Sequence, residues 1–223
     1  MRAVLEATEG WRSAFPAAVA GALVMRAVAN PEQSPALEAA KRALEERLQA
    51  GAGADEGEER VLAAYADYYR ARGKTYHVRA QRESVASGRR PIPSRAALVK
   101  AMFMAELQNL ILTAGHDLDA VEPPVRVAAS EGGERYVQLN GSEAELEAGD
   151  MMMADSAGII SSVLRGPDRR TRIEAGTRTV LFAVYAPAGV GEQAVADHLD
   201  HIRANVLLVA PEAETELLTQ VQA

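Results

Sequence analysis

Pro123-Pro124 divides this chain into two kinds of sequence. Beyond it come short strand-like runs separated by polar turns: "VRVAAS", "RYVQL" after Gly-Gly, "DMMMAD", "GIISSVL" and "TRTVLFAVYA". Before it, apolar residues recur mostly at helical spacing. "SPALEAAKRALEERLQA" has Ser34 as N-cap, Pro35 at the first helical position and a Leu37, Leu44, Leu48 stripe. A second helix, about 59 to 71, carries Tyr65, Tyr68 and Tyr69 and stops near Gly73. A third, about 95 to 113, is capped by Ser94 and stopped by a left-handed Gly115. Helices early and strands later predict an α+β architecture.

The exceptions to that division lie at the two ends. "FPAAVAGALVMRAVAN" reads as an early buried strand closed by Asn30-Pro31. It contains Arg26, lacks a preceding basic region and does not fit a signal peptide. "GEQAVADHLDHIRANVLLV" reads as an amphipathic helix followed by an apolar strand. With 223 residues, the chain is expected to form one compact unit over 1–223. No apolar run approaches the roughly 20 residues that span a bilayer, so membrane insertion is not expected. The absence of cysteine removes thiolate metal sites, disulfides and cysteine nucleophiles together, and points to a reducing, cytoplasmic setting.

Net charge is −7, but the charge is unevenly placed. Residues 70–100 hold nine Lys or Arg against Glu83 alone, and residues 165–178 hold five Arg against Asp168 and Glu174. Two basic segments in an acidic chain suit an anionic ligand if the fold brings them together. If it does not, they are surface partners for the acids, pairs that individually contribute little.

Several side chains have the chemistry of a site. Glu106, Asn109, Thr113 and His116 succeed one another at spacings of three and four and can present polar groups along one line. A buried Asn109 must satisfy its amide locally or face a cleft; His116 reads either as a helix-end cap or as a ligand-facing group. "LRGPDRRTRI" joins two strand-like runs through a Gly-Pro turn; its arginines form a phosphate or carboxylate clamp with Asp168 orienting them, or else a solubilising tip. His198 and His201 lie three apart on a helix with no third ligand in view, so an exposed face is expected there and no metal site. The sequence has no Gly-rich phosphate loop, Rossmann fingerprint or nucleophile elbow, and no cofactor is expected.

The order "YYRARGKTYHVRAQRESVASGRRPIPSRAALVKAMFMAELQNLILTAGHDLD", "AGDMMMADSAGIISS", "GPDRRTRIEAGTRTVLFAVYAP" resembles the free-standing B3/B4-domain proteins, relatives of the editing module in the β subunit of phenylalanyl-tRNA synthetase. The resemblance covers about residues 60 to 190. It implies a layered β/β/α sandwich whose pocket takes the 3′ end of a mischarged tRNA and hydrolyses the wrong amino acid from it, chiefly by positioning a water. Asn109 matches the Asn that ends the family's helix motif, and His116-Asp117 is the approximate counterpart of a His before an acidic turn. Arg172 falls where the editing module has a Glu that reads the hydroxyl of mischarged tyrosine, which favours an anionic group, a phosphate or an ion pair within the fold here. The resemblance thus implies a catalytic set of Asn109, His116 and Asp117. Together with the basic segments and the polar line along the helix, the expected substrate-binding set is Arg79, Glu83, Glu106, Thr113, Asp155, Arg165, Asp168, Arg169, Arg170 and Arg172. The partner it implies is tRNA or the aminoacyl-tRNA 3′ end. The competing readings are an amino-acid-like or anionic small-molecule binder that has kept the pocket, and a partner-binding module without catalysis.

Overall fold

The computed structural model describes residues 5–51, 55–93 and 96–223. Its elements run β1 (Leu5–Ala7), α1 (Glu9–Ala14), β2 (Val19–Arg26), α2 (Pro35–Gln49), α3 (Glu56–Arg70), α4 (His77–Ala86), α5 (Ala97–Asn109) and β3 (Thr113–Asp117). A 3-10 turn at Leu118–Ala120 leads into β4 (Val125–Ala129), β5 (Arg135–Val137), β6 (Glu143–Glu145), β7 (Met151–Ala154) and β8 (Ile159–Ser162). The chain closes with β9 (Gly166–Pro167), β10 (Thr179–Ala186), α6 (Glu192–Leu207) and β11 (Glu214–Gln222).

Two principal sheets form the α+β fold. One has the order β11-β2-β10-β3 and is antiparallel throughout; the other has the order β1-β4-β7-β8-β9, with only β1 and β4 parallel. β5 and β6 make a separate hairpin. Every residue of β10 is buried, as a strand must be when both faces of its sheet are covered. Helix α6 lies on one face, where a Cβ on Gly21 of β2 would come within 2.8 Å of Val195, so a larger side chain would push the helix off the sheet. The five-stranded sheet lies on the other: Ser161 of β8 bonds to His116 of β3 and to Tyr185 of β10.

Local chemistry explains which helix ends were predictable. α2 starts as expected, with the Ser34 hydroxyl accepting from Leu37 N–H and Pro35 at the first position. The expected helix at 95 to 113 is shorter, Ala97–Asn109, and Ser94 lies outside the described residues. Its first amides are taken up from a distance: the Asn30 side-chain oxygen Oδ1 accepts from Leu98 N–H at 2.9 Å and the Pro31 backbone carbonyl from Ala97 N–H at 2.9 Å. Its end is set by Leu110, whose φ of 59° is left-handed. Gly115 is therefore not a helix cap. It sits inside β3, where a Cβ would lie 2.8 Å from the Ile173 side chain and 3.2 Å from Met102 sulfur.

Three further expectations change. Between the helices expected at 59 to 71 and 95 to 113, the basic segment forms a further helix, α4, since Pro91 and Pro93 forbid helix only after it. The residues expected as a strand after "DHIRAN" continue α6 to Leu207, and the closing strand is the more polar β11 paired with β2. His198, expected on an exposed face, is fully buried against β3.

Candidate functional site

The C-terminal half of α5, the start of β3 and the β8–β9 turn enclose a cavity of 410 Å³. Glu106 and Thr113 come from the helix and strand, Ser162 and Arg165 from the turn, and Tyr69 and Tyr185 close it from α3 and β10. Thr113 N–H donates to Glu106 Oε1 at 2.8 Å, which ties the strand to the helix at the cavity wall. Burial pushes the Glu106 carboxyl up to about 8, because no charge nearby compensates the loss of water.

Behind this wall run two hydrogen-bonded chains on opposite faces of the four-stranded sheet, because side chains alternate along β3. On the helix side, His201 Nδ1 lies 3.1 Å from Asn109 Oδ1, Asn109 Nδ2 lies 3.0 Å from His198 Nδ1, and His198 Nε2 lies 2.6 Å from Thr113 Oγ1. An amide N–H can only donate, so His198 accepts at Nδ1 and must carry its proton on Nε2, facing Thr113. On the other side, His116 Nδ1 lies 2.7 Å from Thr171 Oγ1 and its Nε2 lies 3.2 Å from Ser161 Oγ. Thr171 in turn bonds to Asp168, and Ser161 to Tyr185. Burial lowers both His116 and His198 to about 3, so both rings are neutral.

The residues singled out in sequence are thus distributed over several places. Glu106, Thr113 and Arg165 meet at the 410 Å³ cavity. Asn109 opens instead on a second cleft of 940 Å³, between the end of α2, the start of α3 and the start of α6. Asp117 points to neither: one oxygen accepts from Asp119 N–H at 3.1 Å and the other from the Thr177 hydroxyl at 2.7 Å, which closes two turns. Asp155 accepts from the backbone amides of Glu122, Ala157 and Gly158 and binds Arg170 at 2.9 Å through both oxygens. Arg170 is therefore tethered rather than free to clamp a ligand.

The other arginines are also engaged. Arg79 pairs with Glu83 one turn on at 2.9 Å, Arg165 with Glu147 at 3.1 Å and Arg172 with Glu174. Arg169 is an exposed residue whose amide donates to Val137 O at 2.9 Å. Asp168 holds the Thr171 amide at 3.2 Å and its hydroxyl, shaping the "DRRT" turn from inside. Tyr69, Ser161, Ser162 and Tyr185 were not singled out as site residues, and His198 was expected on an exposed face. Tyr185 and Ser161 sit in runs that read only as apolar strands, and no local pattern marks which strand hydroxyl meets which. Among the described residues, no group of three or more His, Cys, Asp or Glu is placed to hold a metal ion, and no helix is long and apolar enough to cross a membrane.

The family model described as B3/4 domain matches residues 81–200, the span from α4 into α6 that supplies most residues of the two chains and the cavity. The chain belongs to the B3/4 domain family. No curated protein matches it. Among solved structures it is similar to an N-terminal fragment of the phenylalanyl-tRNA synthetase β-subunit from Pyrococcus horikoshii, with a TM-score of 0.53 and 12% sequence identity. The likeness covers 100% of this chain and 55% of that one, so the chain spans about half the length of the synthetase fragment. At that identity the likeness shows the shared fold, and the B3/4 cavity must be read from its own side chains.

Proposed function

We propose that this B3/4-family chain takes the aminoacylated 3′ end of a tRNA into the 410 Å³ cavity and hydrolyses the ester, acting in trans. The reading rests on one observation above all: the end of α5 and the β8–β9 turn share a single cavity with a polar wall. Thr113 is the group that touches the ester. Its oxygen already accepts from His198 Nε2–H, so its own hydrogen is available to the carbonyl oxygen, where negative charge develops as water attacks. Asn109 acts as a positioning residue, since it sets the tautomer of His198. His116 holds Ser161 and, through it, Tyr185, and Asp117 fixes the end of β3. The setting expected for this activity is the cytoplasm, where charged tRNA is made.

The test is deacylation of a panel of mischarged tRNAs. The wild-type protein should hydrolyse at least one, and Thr113→Val should slow that reaction about 100-fold, the usual effect of removing one donor to a developing oxyanion. Absence of both deacylation and salt-sensitive tRNA binding would end this reading.

A second reading, an amino-acid-like small ligand without tRNA, is favoured by the ion pairing. Arg79, Arg82, Arg165, Arg170 and Arg172 each have an acidic partner, which removes most of the expected basic wall. Stabilisation by free amino acids or their analogues in a thermal shift, with no effect of tRNA, would select it.

A further inference from the structure

The cavity wall carries buried acceptor oxygens that no donor among the described residues reaches. Glu106 is 6% exposed, with one oxygen on Thr113 N–H; among the described residues, its other oxygen takes no hydrogen bond and no cationic side chain lies within pairing distance. Arg165, the cation of the same cavity, is held by Glu147 at 3.1 Å. Gln81 also lines the cavity, and its buried Oε1 takes no hydrogen bond. A buried carboxyl and a buried amide oxygen left in this way cost stability unless a ligand completes them.

Tyr185 joins them through the direction of its hydrogen-bond chain. The Thr171 hydroxyl gives its one hydrogen to Asp168, so its oxygen accepts from His116 Nδ1–H. The neutral His116 ring therefore accepts at Nε2, and only the Ser161 hydroxyl can donate there. With its hydrogen committed, Ser161 accepts from the Tyr185 phenol. Every donor in the chain points inward to Asp168, and the Tyr185 oxygen at the cavity wall is left as an acceptor.

We propose that the cavity is built to receive a protonated primary amine, which donates to the free oxygens of Glu106, Gln81 and Tyr185 and brings the positive charge that lets the buried carboxyl ionise. The inference rests on the cavity being the substrate site and deepens that reading: the part of an aminoacyl ester recognised there is its free α-ammonium. The titratable groups around Glu106 do not compete. Burial holds Tyr65, Tyr69 and Tyr76 neutral, with Tyr185 likewise, and burial lowers the pKa of His77. Glu106 is mainly protonated at neutral pH in the free protein, so an arriving ammonium should ionise it and expel its proton.

The experiment is calorimetric titration near pH 7 of the full chain with a set of amino acid amides and their N-acetyl counterparts, in buffers of different ionisation enthalpy. These probes cannot report ester hydrolysis and carry no tRNA. At least one amide should bind about tenfold or more tightly than its N-acetyl form, as expected when a charge-assisted bond is lost. Binding should release about one proton per ligand from Glu106. Glu106→Gln, which keeps the acceptor for Thr113 N–H, should abolish the release and the discrimination. Tyr185→Phe should weaken binding and keep the release. Equal affinity for the acetylated forms, no proton release, or no amide binding at all would each overturn the proposal. Deacylation persisting in that case would leave the function reading intact, whereas amine binding without deacylation would overturn the function reading alone.

Discussion

Glu106 and the histidines His116 and His198 are buried titratable groups whose charged forms the fold disfavours, and they act in opposite directions on stability. Burial raises Glu106 from 4.5 to about 8, so the folded state binds a proton that the unfolded state has released. Its contribution to stability therefore falls as pH rises through that interval. Burial lowers His116 and His198 from 6.5 to about 3, so the unfolded state binds the extra protons, and their contribution is lost as pH falls below 6.5. Between pH 6.5 and 8 the unfolded-state histidines lose their remaining protons, which adds about 0.4 kcal/mol for each, while Glu106 loses more. Urea denaturation should accordingly show the wild-type protein losing stability, by on the order of 1 kcal/mol, across that interval. Glu106→Gln should remove that loss, and an unchanged slope in the variant would show that the carboxyl is not buried as described. The residue types at these positions were plain in the sequence, and their line of spacing suggested a shared site. Their burial was not, because a helix face becomes an interior only when another element covers it.

At the scale of elements, the contrast between α2 and α5 separates local from remote capping. α2 carries its own start signal, and Ser34→Ala should cost about 1 kcal/mol, as for a typical N-cap. α5 depends on Asn30, which is 68 residues before the Leu98 it bonds: its side-chain oxygen accepts from Leu98 N–H at 2.9 Å, and its amide donates to Glu174 O at 2.8 Å. Asn30→Ala should cost more than Ser34→Ala, about 2 kcal/mol, because a buried amide and a partly buried carbonyl lose their partners at once. Thermal denaturation of the two variants under one condition measures the order, and an equal or smaller loss for Asn30→Ala would show that other groups cap α5. Asn30-Pro31 was legible as the end of a strand. Its second task was not, since no local pattern connects it to a helix beginning at Ala97. The same holds for Gly115, whose type suggested a cap and whose place is decided by the close approach of Ile173 and Met102.

At the scale of the whole molecule, the basic segments proved to be largely neutralised. Arg70, Lys74, Arg79 and Arg82 pair with Asp67, Glu147, Glu83 and Glu58, and Lys100 is buried against Glu38. Arg89 and Arg90, on the exposed turn after α4, have no acidic partner among the described residues; the Arg89 side chain donates to the Ser87 hydroxyl at 2.9 Å. They are the cations best placed to meet phosphate. If tRNA binds, replacing both with Ala should weaken it and flatten the dependence of log affinity on log salt by about 2, one counterion term per lost phosphate contact. Filter binding over a salt series tests this. An unchanged slope would place the RNA contact elsewhere.

The amino-acid sequence by itself determined the fold class, the principal strands and helices, the family resemblance and the chemical identity of the wall residues, because periodicity, caps and turn residues act over short spans of chain. Tertiary structure decided which of those residues meet. It set Glu106 and Thr113 across from Arg165 while turning Asn109 to a different cleft. It also linked His116 to Tyr185 through Ser161, and gave the arginines their acids. The reason is physical: hydrogen bonds and ion pairs reach about 3 Å in space, whatever the separation along the chain, so their partners are assigned only once the sheets and helices have packed.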